Sequence, residues 1–280
     1  MQTRYSFFNS SLNNSSSHEV RIIPHSTFHI PHSFIIFATM NMMKDIKVIA
    51  FDADDTLWDC QSHFEEVEKE YASLLEPWGT PEEVSAALFS TESGNMPLLG
   101  YGCKAFTISL VENAISFSHG EIKAGFIDRI VQLGKSLLEL KATPLPGVKE
   151  TIQQLAESKR YKLVVFTKGE LLDQQNKLNR SGLAGYFDDV VIVSDKTTEE
   201  YTKLCHMNGI KINELLMVGN SFRSDIEPVL KLGGYAVHIP FKVEWKHEAM
   251  ESYSHEHLAT IKNISELLEI EEIKPNKQLL

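Results

Sequence analysis

The chain has 280 residues, 42% of them hydrophobic and 23% charged, which is enough apolar material for one full core and a smaller accessory domain. Lys plus Arg number 27 against 38 Asp plus Glu, a formal charge of −11. That balance argues against nucleic acid and anionic membranes as partners and leaves any phosphate-bearing ligand dependent on a local positive site. The three cysteines (Cys60, Cys103, Cys205) lie far apart without a Cys-x-x-Cys, which excludes a disulfide framework or cysteine-rich zinc module and suits a reducing cytoplasm. No apolar run approaches the ~20 residues of a membrane-spanning helix.

Residues 1–43 stand apart from the rest. Their only charged residues are Arg4, Glu19 and Arg21, Ser and Asn cluster between positions 9 and 17, and neither a helical nor a strand period is present. A disordered tail is expected, or a chain whose true start is one of Met40, Met42 and Met43. Residues 46–51 (Ile-Lys-Val-Ile-Ala-Phe) form a short β-branched run, the pattern of a buried parallel strand. From about residue 60 to 140 the pattern is helical, with breaks at Pro77, Gly79-Thr80-Pro81, Gly94-Asn95-Met96-Pro97 and Gly100-Tyr101-Gly102. Thr143-Pro144-Leu145-Pro146-Gly147 reads as a stiff return linker.

Strand and helix then alternate. A helix over 148–158 precedes a strand over 161–166 and a helix over 170–179. A strand over 190–193 leads to a helix opened by Thr197-Thr198-Glu199-Glu200, a capping-box pattern. A strand over 215–218, a helix through Leu232 and a fifth strand over 235–239 follow. The alternation predicts an α/β fold: a Rossmann-like, doubly wound parallel sheet with an inserted α-helical cap domain. The expected organisation is a core of residues 44–60 and 143–272, a cap of 61–142, and a frayed tail of 273–280 after a last amphipathic helix over 264–272.

The residues just past the strands carry the chemistry. The first strand ends in Asp52-Ala53-Asp54-Asp55-Thr56, the second in Thr167-Lys168-Gly169, the third leads to Ser194-Asp195-Lys196, and the fourth ends in Gly219-Asn220-Ser221 with Ser224-Asp225 close behind. In a doubly wound sheet these clusters converge on one crevice at the carboxyl ends of the strands. A carboxylate there can attack phosphorus and split one hard step into two. It repels a phosphate dianion, so the site needs fixed positive charge from lysine and from a hard, oxygen-bound cation. Mg²⁺ suits Asp52 and a partner from the fourth strand. Residues two apart on extended chain share a face, so Asp54 can stand beside Asp52, protonate a leaving alkoxide and later deprotonate the attacking water.

This arrangement resembles the haloacid dehalogenase superfamily of phosphotransferases over residues 46–240, the Asp-x-Asp-x-Thr after an apolar strand being its most specific element. Thr167, Lys196 and the Gly219-Asn220-Ser221…Asp225 segment look like the second, third and fourth motifs, and the helical insertion looks like the cap of one large subgroup. The resemblance implies that Asp52 is the nucleophile and Asp54 the acid and base, whose backbone carbonyl also meets Mg²⁺. It further implies that Thr167 and Lys168 sit at the transferring phosphoryl group, and that Lys196 balances the charge of Asp52 and phosphate. The family usually has Gly-Asp in the fourth motif where this chain has Gly219-Asn220, so the metal set is written as Asp52, Asp54, Asn220 and Asp225. An amide brings no charge, which weakens the expected hold on the cation.

The expected substrate is a small phosphorylated metabolite and the expected location cytoplasmic, with the oligomeric state open. Two other readings compete. A 2-haloacid dehalogenase uses the same aspartate without metal, but has no use for an acid such as Asp54 when halide leaves. A non-catalytic phospho-acceptor or binding protein fits Asn220, though not the full motif set. At the cap, Trp58 and Asp59 are expected to border the entrance. The stretch over residues 99–106 reads as a loop whose Lys104 either reaches a substrate anion or, the favoured reading, faces water while Tyr101 and Phe106 pack the cap. His255-Glu256-His257 is too weak a pattern for a metal site.

Overall fold

A computed structural model describes residues 43, 45–243, 245–271 and 273. The expectations for residues 1–42 and 274–280 lie outside the described residues. Met43 and Ile273, assigned to the tails by sequence, are both buried in the core, at 2% and 0% exposure.

Six parallel strands form one sheet in the order β3-β2-β1-β4-β5-β6. They are β1 Val48–Phe51, β2 Lys162–Lys168, β3 Asp189–Val193, β4 Leu215–Gly219, β5 Tyr235–His238 and β6 Leu258–Thr260. Every residue of β1 is buried, because the strand is central and covered on both faces. Its side chains alternate: Ile49 and Phe51 join one apolar cluster with Ile152, Leu155 and Leu178, and Val48 and Ala50 join the other with Tyr201, Leu204 and Val229. The strand order reverses between β1 and β4, and that switch point opens a crevice at their carboxyl ends.

Four helices lie between β1 and the rest of the sheet: α1 Gln61–Leu74, α2 Pro81–Leu99, α3 Cys103–Phe117 and α4 Ala124–Leu137. They bury a cluster of their own around Tyr71, Leu88, Leu110 and Ile130. A capping box between Thr80 and Glu83, with Pro81 in the first turn, starts α2. The break expected at Gly94–Pro97 does not occur, and α2 runs through it to Leu99. Pro97 falls in the last turn, where its missing N–H removes only one helical bond. Asn95 anchors the same turn by donating to Ser109 Oγ at 3.1 Å and Glu112 Oε2 at 2.8 Å. The chain leaves and returns along one path, with the Leu145 N–H donating to the Leu57 carbonyl at 2.9 Å.

The alternating half follows the sequence closely: α5 Val148–Ser158, α6 Leu171–Ser181, α7 Thr198–Met207 and a short α8 Glu227–Lys231. Thr197 caps α7 by accepting from the Glu200 N–H. A π-turn, Phe222–Ile226, replaces the first turn of the helix expected after β4. β6 has only three residues and no apolar run to announce it; it pairs along β5, where the Ala236 N–H meets the His257 carbonyl at 2.9 Å. The last expected helix is a 3₁₀ segment over Ile264–Glu269, opened by Asn263. No helix among the described residues is long and apolar enough to cross a membrane.

Candidate active site

The carboxyl ends of β1 and β4 set the first groups. The Asp52 N–H donates to the Val218 carbonyl at 2.9 Å, which fixes Asp52 just past the ladder. Lys196, from the loop after β3, places Nζ 2.5 Å from Asp52 Oδ1 and 2.6 Å from Asp225 Oδ1. All three side chains are almost fully buried. Burial pushes the Asp52 carboxyl up to about 6 against the pull of Lys196, with Asp225 adding to the rise. Burial also works against the Lys196 ammonium, but Asp225 and Asp52 outweigh it and raise its pKa. Lys196 therefore carries its charge between two carboxylates.

Asp225 is held from the other side by the Ser221 N–H, which donates to Oδ2 at 2.9 Å. Tyr201, buried under the π-turn, donates its hydroxyl toward the Ser224 and Asp225 carbonyls at 3.0 and 3.1 Å. Gly219 is required by this packing, since a Cβ there would lie 2.2 Å from Asp225 Oδ2.

Asp54 stands on the same side as Asp52 and is saturated with donors. Lys177 Nζ lies 2.6 and 2.8 Å from its two oxygens, Gln174 Nε2 2.7 Å from Oδ2, and Trp58 Nε1 2.7 Å from Oδ1. Burial raises the Asp54 pKa, and Lys177 with these hydrogen bonds more than offsets it, so the carboxylate is held below its ordinary range. Lys177 also pairs with Asp173 at 3.3 Å, one helical turn away on α6. Sequence reading missed Gln174 and Lys177. Their signal was a polar face on α6, with Asp173, Gln174 and Lys177 at helical spacing beside the apolar Leu178.

The Asn220 side-chain amide lies 3.2 Å from both Asp52 Oδ2 and the Asp54 carbonyl, and 3.1 Å from Thr56 Oγ1. With its nitrogen turned toward them it donates to all three. With its oxygen turned toward them, an amide oxygen would stand beside a carboxylate and a carbonyl oxygen, the oxygen types a hard cation takes. Thr56 Oγ1 is also 3.1 Å from Asp52 Oδ2. Among the described residues no three His, Cys, Asp or Glu side chains are grouped to hold a metal, and the set here draws instead on an amide and a main-chain oxygen.

Thr167 is 2% exposed at the end of β2, and Lys168 follows it into the crevice. Lys168 Nζ contacts Glu248, lies 3.0 Å from Ser224 Oγ, and sits 4.2 Å from the centre of the Tyr101 ring. Burial, helped by the nearby Lys196 charge, brings the Lys168 ammonium down to about 8. Glu248, contributed by the loop after β5, also accepts hydrogen bonds from the Ser221 and Ser224 hydroxyls. Sequence reading did not find Glu248 or its neighbour Trp245, because nothing in a loop of that composition marks it as returning to the crevice.

A cavity of about 180 Å³ lies between the sheet ends and the inserted helices, and Asp52, Asp54, Thr167, Lys168, Lys196, Asn220 and Asp225 all line it. Its lining also includes Phe64 and Phe106 from the helices, Tyr101 from the turn between α2 and α3, and Trp245 from the loop after β5. Tyr101, expected to pack the cap, instead faces Trp245 with ring centres 5.6 Å apart. Trp58 does not border the entrance as expected: it is 0% exposed and buttresses Asp54. Asp59 pairs with Lys242 at 3.1 Å. Lys104 pairs with Glu170 and does not line this cavity. The His255 and His257 rings pack on each other at the sheet edge, His257 Nδ1 lying 3.2 Å from the Gly234 carbonyl.

Known proteins share this architecture. Residues 46–233 match the family described as haloacid dehalogenase-like hydrolase. A crystal structure of a haloacid dehalogenase-like family hydrolase from Xanthomonas campestris superposes with a TM-score of 0.71 at 30% identity, covering 79% of this chain and 88% of that one. The glyceraldehyde 3-phosphate phosphatase of Methanocaldococcus jannaschii is 26% identical over 246 residues, 80% of this chain and 96% of its own length. Its counterpart from Methanothermobacter thermautotrophicus is 26% identical over 202 residues, 69% of this chain and 84% of its own length.

Proposed function

The chain belongs to the haloacid dehalogenase-like hydrolases, and on that premise we propose that it is a Mg²⁺-dependent phosphatase of small phosphate monoesters. The observation that carries this reading is the Asn220 amide lying 3.2 Å from both Asp52 Oδ2 and the Asp54 carbonyl, with Lys196 on the other oxygen of Asp52. The charge of the cavity supports it. Among the described residues, eight carboxylates line the cavity against three lysines, an excess that opposes a phosphate dianion unless a cation joins it. Asp52, the Asp54 carbonyl and Asn220 would hold that cation, while Asp225, committed to Lys196 and the Ser221 N–H, would fix the lysine. Bound there, Mg²⁺ supplies charge neutralisation and polarises a phosphoryl oxygen.

The protein groups then have separate tasks. Asp52 attacks phosphorus with Oδ1 or Oδ2 and becomes an aspartyl-phosphate. Thr167 and Lys168 orient the phosphoryl oxygens, and Lys196 stabilises the charge that gathers on them. Asp54 sits two residues on as base and acid. Held ionised by Lys177, Gln174 and Trp58, its carboxylate takes a proton from the attacking water, and it serves the leaving alkoxide as acid only in the molecules where it has first picked up a proton. Lys177, Gln174 and Trp58 set the direction in which its carboxylate points. We take α1–α4, the segment assigned to residues 61–142, as the cap that closes the cavity over the reacting ester. The two archaeal relatives carry glyceraldehyde 3-phosphate phosphatase in their names, which makes that triose phosphate the first substrate to assay. Phosphate release that requires both Mg²⁺ and Asp52 is the expected result. Metal-free release of chloride from 2-chloropropionate would favour the dehalogenase reading instead.

A further inference from the structure

Resting on the phosphatase reading, we propose that the cavity selects phosphate monoesters whose leaving group carries hydrogen-bond donors and no negative charge, and rejects those whose leaving group carries a carboxylate. All three lysines in the lining come from the sheet side, and each is already paired: Lys196 with Asp52 and Asp225, Lys177 with Asp54 and Asp173, Lys168 with Glu248. The inserted helices contribute two carboxylates to the lining, Glu68 from α1 and Glu92 from α2, and no basic side chain among the described residues. Glu68 accepts from Ser85, while Glu92 has no hydrogen bond or ion pair among the described residues. Burial and the Glu68 charge push Glu92 up to about 7, with only Lys246, which is outside the lining, pulling the other way. A second anion placed there would meet the Glu68 carboxylate and a Glu92 that is ionised in part near neutral pH and fully above it, in a partly dry site.

A separate observation points the same way. Asp173 and Gln174 line the cavity at 4% exposure each, and Asp173 Oδ1 and Gln174 Oε1 are buried without a hydrogen-bond partner. Both belong to the cluster that holds Asp54, so they flank the place where the leaving oxygen departs. Buried acceptors left unpaired are costly. Both oxygens are closed off from the cavity, so a ligand hydroxyl or ammonium would satisfy them only by drawing the Asp173 or Gln174 side chain toward it, and a carboxylate would not. Asn95, also in the lining, has given its amide protons to Ser109 and Glu112 and offers a carboxylate little.

Three esters of matched size separate the charges: 2-aminoethyl phosphate, 2-hydroxyethyl phosphate and 2-phosphoglycolate. Their kcat/KM values would be measured with Mg²⁺, alongside p-nitrophenyl phosphate as a report on the phosphatase reading itself. We expect the amine and hydroxyl esters to exceed phosphoglycolate by about tenfold or more, the step that ~1.4 kcal/mol of discrimination gives. Glu92→Gln and Glu68→Gln, each checked for an unchanged melting profile, should narrow that ratio by raising turnover of phosphoglycolate. Phosphoglycolate turned over as well as the others by a protein that hydrolyses p-nitrophenyl phosphate would overturn the selection while leaving the phosphatase reading intact. An unchanged ratio in both variants would overturn the assignment to these two residues. Hydrolysis of none of the four esters, nor of glyceraldehyde 3-phosphate, would overturn the phosphatase reading, and the selection with it.

Discussion

Of the three lysines that line the cavity, Lys168 is the one whose charge state responds within the working pH range. With its pKa brought down to about 8, it is an ammonium at neutral pH and loses the charge as pH rises through that value. Activity that depends on its charge should therefore fall on the alkaline side near pH 8. Lys168→Arg keeps a cation that does not titrate there, so it should flatten the alkaline limb while lowering the maximum, because a planar fork replaces a point charge. A pH profile of kcat/KM for the two proteins checks this. Asn220 gives a second prediction at this scale. Asn220→Asp puts a carboxylate where an amide donates to Asp52 and the Asp54 carbonyl. The metal-free variant should melt lower than wild type, and Mg²⁺ should raise its melting temperature by more. Equal Mg²⁺ shifts in the two proteins would remove Asn220 from the metal set.

Among the elements, close packing decides more than chemistry does. Helices α3 and α4 approach so tightly that a Cβ on Gly134 would lie 2.0 Å from Thr107 Oγ1. Gly134→Ala should destabilise the protein by about 1–3 kcal/mol, read as a lower denaturant midpoint, although alanine is the better helix former. This scale also shows what the sequence could reveal. The β1 run, the helix over Val148–Ser158 and the strands near Thr167, Val193 and Gly219 were legible because they are apolar, short and bounded by turn residues. The π-turn at Phe222–Ile226 was not, because it depends on Tyr201 and Asp225 folding back from distant positions. β6 was not, because a three-residue edge strand has no period. That Asp52, Asp54, Thr167, Lys196 and Asp225 share one crevice was legible because each follows the end of a parallel strand within a few residues, Asp225 the furthest along in the turn after β4. Lys177 and Glu248 act only through tertiary contacts, and no local pattern marks them.

The whole molecule carries the electrostatic consequence of gathering carboxylates in one cavity. Burial foremost raises Asp52 to about 6, and Asp55 and Glu92 to about 7, each from an ordinary value near 4. These groups bind protons more tightly when folded than when unfolded, so their contribution to stability declines as pH rises from about 4 through 7. His247, lowered chiefly by burial, opposes this in part below its ordinary value of 6.5. The metal-free protein should thus melt higher at pH 5.5 than at pH 7.5, and Mg²⁺ should shrink the difference by stabilising ionised Asp52. A melting temperature that falls on mild acidification would contradict that balance.

The account stands on Asp52 acting as a metal-assisted nucleophile toward a phosphate ester. The direct measurement is inorganic phosphate released from glyceraldehyde 3-phosphate with Mg²⁺ or with EDTA, by wild type and by Asp52→Asn. We predict release by the wild type with Mg²⁺ alone, and a loss of at least about a thousandfold on removing either the metal or the carboxylate. Release that continues undiminished in EDTA, or in a folded Asp52→Asn protein, would contradict it.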